Sequence, residues 1–467
     1  MAFIGASSDP NKWGFRILAN LVDGGYQGKI YPVNPKKGEI LGWQVYATVA
    51  DIPETPDMAV IVVPPQQVSN AVKDCVARGI QAGVVITAGF AETGNEKLEQ
   101  EFVDIARKGG MVLVGPNSQG IVNTEANLYP QMPPLFPKPG HLAIVSQSGN
   151  IVGTTSRHLT IRGFGCSKCI SSGNEADLHT EDYIEYLAND PQTKVILSYL
   201  EGVKDGKRFI EVAREASKKK PIVILKSGDT DAGAKAAKSH TSALAGSDAV
   251  YQAMFQQTGI IRVSTIYEML DAALAFLCYP LPRGRRVGIV AAGGGWGVLA
   301  TDACAKLGLD VVTLSPETIS ELDSFMPVWW SRGNPVDLVA GTFGENLTRA
   351  VEVVLKSPAT DGVILLGLIP AARPGRVMQS MTEADRKRAQ DDMAERIIGV
   401  IDGIAEMVKR CGKPVIIGSE LPAISAAFAQ QLNKALADKN FWCFTMPHEA
   451  ATAFALLARY AEYLNLK

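Results

Sequence analysis

His240 sits in the stretch DTDAGAKAAKSHTSALAGSD, residues 229–248, away from any apolar run and from any metal-ligand spacing. Imidazole is partly neutral, and therefore nucleophilic, near neutral pH. Its small neighbours leave room for a phosphoryl group, and Lys235, Lys238, Ser239 and Thr241 offer charge and donors to an anion. A surface-loop histidine without a role is the alternative. A carboxylate bonded to one ring nitrogen would fix the tautomer and stabilise the cation formed at the other. Glu201, at the end of the apolar run KVILSYLEG, is the natural candidate; an acid facing the dipole of the next helix is the plainer reading.

The second constellation is VSQSGN, where Ser146, Gln147, Ser148, Gly149 and Asn150 end a strand and begin a helix. Small residues, donors and a permissive glycine at a helix start suit phosphate, although Ser and Asn also cap helices in any protein. The loop GASSDPNKWG resembles a dinucleotide turn without matching GxGxxG, so it fits either a phosphate-bearing ligand or a structural turn. AAGGGWGVLA, followed by GNPVDLVAG, could be another phosphate cradle, but its glycines read first as a tight strand-to-helix turn. Seven scattered cysteines argue for reduced thiols. Cys166 and Cys169 form a CxxC, but without a second ligand pair, on an expected strand where residues three apart face opposite ways; no metal site is expected.

Parallel strands buried on both faces read as continuous apolar runs, and these recur along the chain. AFIGAS, KIYPVN, AVIVVP, AGVVITAG and MVLVGPN form a first cycle, with a helix from about Lys12 and another in PQQVSNAVKDCVARG. Five prolines between Pro130 and Pro139 end it. HLAIVSQSG, GCSKCISSG, TKVILSYLEG and PIVILKSG form a second cycle that closes with the His240 loop and a helix ending near Cys278. After PLPRGRR comes a third: RVGIVAAGGGWG, DVVTLS, GVILLGLIP and KPVIIGSE, with a C-terminal amphipathic helix that should pack on its sheet. The expected fold is α/β with three doubly wound domains, 1–128, 140–281 and 283–467.

With 467 residues, 46% hydrophobic, 20% charged and a net charge of −2, the chain has substantial cores and no basic stripe for nucleic acid. No apolar run is long enough to span a bilayer, and Met1 leads into AFIGAS without a basic leader or cleavage site, so a cytoplasmic protein is expected.

GASSDPNKWG, YPVNPKKGE, AVIVVPP, ITAGFAE, GPNSQG, VSQSGN, SGNEADL, TKVILSYLEGVKDGKRF, AKSHTSALAGSDAVYQAMF and GNPVDLV occur in this order over nearly the whole chain. Together they resemble the alpha subunits of ADP-forming acetyl-CoA synthetases, acyl-CoA synthetases related to succinyl-CoA synthetase. Ser118 departs from the family's GPNC, and Ser242 from the glycine that commonly follows its His-Thr.

The resemblance implies a Rossmann-like CoA-binding domain followed by two flavodoxin-like domains. It makes His240 the phosphorylated histidine, Glu201 its supporting acid, and Ser146 to Asn150 the phosphate-binding helix start. For CoA it points to Gly5, Ala6, Ser7 and Ser8, to Lys36 or Lys37, to Val63, Pro64 and Pro65, to Ile86, Thr87 and Ala88, and to Asn117 near the thiol. The three cycles leave no room for an ATP-grasp domain. The resemblance supplies one as a separate beta subunit holding ATP or ADP and Mg2+, in an alpha2beta2 heterotetramer. A non-catalytic CoA-sensing or scaffolding subunit is the other class of reading; intact His240 and Glu201, and no acyltransferase-like tail, argue against it.

Overall fold

The computed structural model describes residues 1–230, 232–233, 247–339, 345–368, 381–420 and 426–465. It is an α/β protein with three mainly parallel sheets in two compact units, Met1–Thr160 with Phe164–Leu270, and Ile161–Gly163 with Asp271–Lys467.

The first sheet joins β1 (Ala2–Ile4), β2 (Tyr31–Val33), β5 (Met58–Ile61), β6 (Ala82–Val85) and β7 (Val112–Val114) in the order β2-β1-β5-β6-β7. A hairpin of β3 (Gly38–Ile40) and β4 (Trp43–Val45) follows β2. Successive residues of a strand face opposite sides of its sheet. Ala2 and Ile4 therefore join a core with helices α2 (Pro65–Ala77) and α3 (Glu96–Lys108), while Phe3 joins a second core with α1 (Trp13–Asp23). Burial on both faces is why these strands carry no polar alternation.

The second sheet has the order β13-β12-β11-β9-β10-β8: β8 (Ile121–Asn123), β9 (Pro139–Ser146), β10 (Cys166–Ser171), β11 (Val195–Leu200), β12 (Ile222–Lys226) and β13 (Ile261–Val263). Its helices are α4 (Gly149–Ile161), α5 (Thr180–Asn189), α6 (Gly206–Ser217) and α7 (Asp248–Thr258), and α8 (Ile266–Cys278) follows. Two features differ from the sequence reading. The short β8, not expected as a strand, pairs antiparallel with β10. The register of β10 against β9 shifts between Cys166 and Cys169, and the two thiols stand close enough to interact instead of facing apart. That contact and burial push the Cys169 thiol well up. Among the described residues no three His, Cys, Asp or Glu side chains gather closely enough to hold a metal ion.

The third sheet runs β15-β14-β17-β18-β19 from β14 (Arg286–Ala291), β15 (Asp310–Val311), β17 (Gly362–Leu366), β18 (Val415–Gly418) and β19 (Cys443–Phe444), with β16 (Val336–Asp337) also on β14. Helices α9 (Gly294–Lys306), α10 (Pro316–Asp323), α11 (Glu345–Lys356), α12 (Glu383–Cys411), α13 (Ala426–Asp438) and α14 (Pro447–Asn465) accompany it. The C-terminal α14 packs on β17, β18 and α9, as its apolar spacing predicts. Among the described residues no helix is long and apolar enough to cross a membrane.

In each sheet the strand order reverses beside the first parallel strand, between β1 and β5, β9 and β11, and β14 and β17. Ligands of open α/β sheets bind outside the carboxyl ends of strands at such a reversal. The motifs singled out in the sequence stand at these three places.

Candidate functional site

At the second sheet's reversal, β9 ends at Ser146 and α4 begins at Gly149. The Ser146 hydroxyl is buried and closes the turn on itself, donating to the Ser148 carbonyl at 2.7 Å and accepting from its N–H at 3.1 Å. Gln147 reaches sideways to the end of β11. Its Oε1 accepts from the N–H groups of Glu201 and Gly202 at 2.6 and 3.1 Å, and its Nε2 donates to the Gly202 carbonyl at 2.9 Å. Ser146 and Gln147 thus shape the cradle from inside. Ser148, Gly149 and Asn150 remain accessible, at a helix start whose first N–H groups have no partner within the helix.

Glu201, only 6% exposed, leaves β11 with its backbone pinned by Gln147. Tyr199, two residues before it, has its hydroxyl pKa raised, chiefly by burial and further by the Glu201 charge, while a Ser227 hydrogen bond opposes the rise. Lys226 ends the adjacent β12 with its ammonium 4.5 Å from the centre of the Tyr251 ring, and burial lowers its pKa. Its charge stands at the root of the segment that carries His240. His240 itself, with Lys235, Lys238, Ser239, Thr241 and Ser242, lies outside the described residues.

The loop after β7 meets this cradle. Asn117, in the left-handed region at φ 57°, donates through Nδ2 to Asn174 Oδ1 at 3.2 Å. Ser118 is buried, donating to the Ser171 carbonyl at 2.6 Å. Gln119 donates to Asn150 Oδ1 at 3.0 Å, and a Cβ on Gly149 would stand 2.2 Å from Gln119 Cγ, so the close approach requires glycine there. Asn174 also donates to Glu92 at 2.5 Å and Glu99 at 2.9 Å. Burial pushes the Glu92 carboxyl up, but this bond and those from the Gly89 and Phe90 N–H groups outweigh it and hold the pKa low.

The remaining first-domain candidates share the carboxyl edge of the first sheet. Thr87 donates to the Val63 carbonyl at 2.6 Å and accepts through its own carbonyl from Asn117 N–H at 2.8 Å, which chains the three segments together. Pro64 and Pro65 start α2 there; Ile86 is buried and Ala88 exposed. Gly5 turns at φ +94°, where a Cβ would lie 2.5 Å from the Val62 carbonyl oxygen. Ala6, Ser7, Ser8, Lys36 and Lys37 line a cleft of about 460 Å³ together with Lys12 and Asn34. Asn34 braces it, donating to the Ala6 carbonyl at 2.8 Å and accepting from Lys36 N–H at 2.8 Å. Three lysines and two hydroxyls in one cleft suit a phosphorylated ligand. Gly5, Val63 to Pro65, Ile86 to Ala88 and Asn117 are not in the lining of this cleft.

Sequence reasoning passed over Lys12, Asn34, Gln119, Asn174 and Glu175. All lie in motifs that it quoted, but nothing local marks a side chain whose partners come from a distant strand.

Comparison with known proteins finds matches along the chain. Family models match as a CoA binding domain over residues 1–124, a succinyl-CoA ligase like flavodoxin domain over 139–276, and a ligase-CoA domain over 287–411. The acetate–CoA ligase [ADP-forming] II subunit alpha of Pyrococcus furiosus is 41% identical over 463 residues, 98% of this chain and 95% of that one. The acetate–CoA ligase [ADP-forming] of Methanocaldococcus jannaschii is 42% identical over 339 residues, 73% of this chain but 48% of that one. Among solved structures, the dinucleotide-forming acetyl-coenzyme A synthetase 1 of Ca. Korarchaeum cryptofilum, in complex with phosphate and ADP, superposes with a TM-score of 0.85 at 33% identity, covering 100% of this chain and 97% of that one.

Proposed function

Because the chain belongs to the family of ADP-forming acetate–CoA ligases, among its alpha subunits, we propose that it interconverts acyl-CoA, ADP and phosphate with free acid, CoA and ATP. Acetyl is the acyl group that the relatives' names support. The observation that carries this reading is the junction of the Asn117–Gln119 loop with the start of α4, which sets the expected thiol end of the CoA site against the expected phosphate cradle.

In the acyl-CoA-consuming direction a phosphate oxygen attacks the thioester carbonyl, the C–S bond breaks, and CoA leaves as its thiol. The His240 ring nitrogen then attacks phosphorus of the acyl phosphate and the carboxylate departs. Phosphohistidine finally gives its phosphoryl group to the terminal phosphate of ADP. For these steps the start of α4, Gly149 and Asn150 with Ser148, holds the phosphoryl oxygens, where spare N–H groups and the helix dipole favour the charge of the transition state. Glu201 orients the His240 imidazole and stabilises its cation. Lys12, with Lys36 or Lys37, and Ser7 and Ser8 hold the phosphates of CoA, while Val63 to Pro65, Ile86 to Ala88 and Asn117 guide its arm along the sheet edge.

The reading includes the three domains 1–128, 140–281 and 283–467, and an ATP-grasp beta subunit that holds the nucleotide and Mg2+ in an alpha2beta2 assembly. A single-chain relative with as much chain again outside the matched part supports a second component. The test is phosphorylation of the chain and its partner with γ-labelled ATP and magnesium. An acid-labile, alkali-stable label lost in His240→Ala is expected; label that persists in that variant sinks the assignment. Calorimetry should find CoA bound by the isolated chain and ADP only with the partner, and full ADP-dependent turnover by the isolated chain overturns the two-component reading.

A further inference from the structure

We propose that Glu175 is a positioning residue for phosphoryl transfer, acting through Gln147 on the turn that carries Glu201; the proposal rests on the reading of Glu201 and His240 given above.

Glu175 is a carboxylate that no step of the reaction uses, yet it is only 2% exposed and stands in the left-handed region at φ 53°. A buried acid on strained backbone persists only where its surroundings over-determine it. Its Oε1 accepts from Ser172 Oγ at 2.8 Å and Thr180 Oγ1 at 2.6 Å, and its Oε2 accepts from Gln147 Nε2 at 3.0 Å. From outside, Lys204 donates to the carbonyls of Asn174 and Glu175 at 2.9 and 2.7 Å. The loop is pressed on the first domain, where a Cβ at Gly173 would lie 2.1 Å from the Pro116 carbonyl oxygen and Asn174 N–H donates to that same carbonyl.

The direction of these bonds fixes what Glu175 does. Two backbone N–H groups, of Glu201 and Gly202, point at one atom of the Gln147 amide, so that atom is the oxygen and the amide cannot turn over. Its NH2 group then faces Gly202 O and Glu175 Oε2, and only an acceptor fits opposite it. Ser172 and Thr180 hold the other oxygen of Glu175, so the residue cannot swing away without leaving them unpaired. Glu175 locks Gln147, and Gln147 locks the end of β11 from which Glu201 projects. Burial raises the Glu175 pKa against the pull of Thr180, Ser172 and Gln147.

Glu175→Gln keeps size but has one acceptor oxygen where Glu175 uses two: left to the Ser172 and Thr180 hydroxyls it sets its NH2 group against that of Gln147, and turned over it takes the acceptor from both hydroxyls. With the partner present, its rate of labelling at His240 from γ-labelled ATP should fall by roughly 10²-fold, because small misplacements of reacting groups cost about that much. CoA affinity by calorimetry should stay within about twofold, since first-domain contacts are untouched. The double variant Gln147→Glu/Glu175→Gln restores donor opposite acceptor and still offers an acceptor to Glu201 N–H. It should recover roughly tenfold of the lost rate, short of all of it because Gly202 O loses its donor. A rate in Glu175→Gln equal to wild type overturns the proposal, as does a double variant no faster than the single, including one that folds no better where the single fails to fold. Parallel loss of CoA affinity and rate overturns it in favour of a general structural role. A wild-type chain that takes no label at His240 is a different failure, since it removes the reading on which this one stands.

Discussion

The second sheet runs from β9 into α4 through Gln147 and Ser148, and the third from β14 into α9 through Ala292 and Gly293, two residues in each. In both, the first residue past the strand donates its N–H to the neighbour beyond the reversal, Gln147 to the Tyr199 carbonyl and Ala292 to that of Leu366. The registers pair Ser146 with Tyr199 and Ala291 with Leu366, so the third-sheet counterpart of Glu201 is Leu368, and that of Gln147 is Ala292. Leu368 is fully buried. One turn is bolted by side chains around Glu201; the other has Leu368 in that register position, and the carboxylate beside its glycines, Asp337, comes from β16 instead. A fold supplies the crevice, and the side chains decide what is done there.

Converting one turn toward the other breaks the comparison where it matters most. Glu201→Gln removes the carboxylate for which the third sheet has Leu368, and phosphoryl transfer to His240 should slow by about 10²-fold or more with CoA binding intact. Stopped-quench labelling checks it, and a wild-type rate leaves Glu201 as an acid facing a helix dipole. Gln147→Ala copies Ala292 and leaves the Glu201 and Gly202 N–H groups without their acceptor. Its labelling rate should fall by about 10²-fold, again with calorimetric CoA affinity retained.

Glycines sharpen the contrast in stability. A methyl at Gly149 collides with Gln119, whereas one at Gly295 meets nothing within 4 Å. Gly149→Ala should destabilise by about 1–3 kcal/mol, and Gly295→Ala should stabilise by about 0.5–1 kcal/mol. Opposite shifts in thermal midpoint are the signature.

The smallest effect is a difference of slope with pH. Burial raises the Glu175 pKa in the folded chain, so its share of stability is complete below the ordinary glutamate value and is lost as pH rises through the raised one. Asp361, beside β17, is pushed up by burial but brought down further by hydrogen bonds from Arg286. Its share is complete above the ordinary aspartate value and is lost as pH falls through the lowered one. Melting profiles across pH should flatten on the rising side in Glu175→Gln and on the acid side in Asp361→Asn.

The long apolar runs were legible because parallel strands buried on both faces leave no other pattern, and β5, β9, β11, β12 and β17 lie where those runs predict. The two- and three-residue strands β8, β13, β16 and β19 were not, since so short a segment has no periodicity to read and forms only when a neighbour offers an edge. The glycine turns were legible for the same local reason: Gly294 and Gly297 have Asp337 and Pro335 within 3.1 Å of a built Cβ, in keeping with the structural reading of GGGWG. At the cradle, residue types announced a polar helix start. That Gln147 serves a strand 54 residues away, and that Glu175 in turn serves Gln147, belongs to tertiary pairing and leaves no trace in the spacing.

The pairing of β8 with β10 has its own consequence. Residues 121–123 follow directly from the first sheet's last loop, yet they complete the edge of the second. A fragment that stops at the proline-rich segment near residue 140 would carry away a strand whose hydrogen-bonding partner stays behind, leaving both pieces with an open edge prone to self-association. The first two sheets are therefore expected to melt as one cooperative body, and the amides of β8 to exchange with solvent only when that whole body opens. For anyone dividing this chain, a cut at the prolines parts β8 from the strand it pairs with.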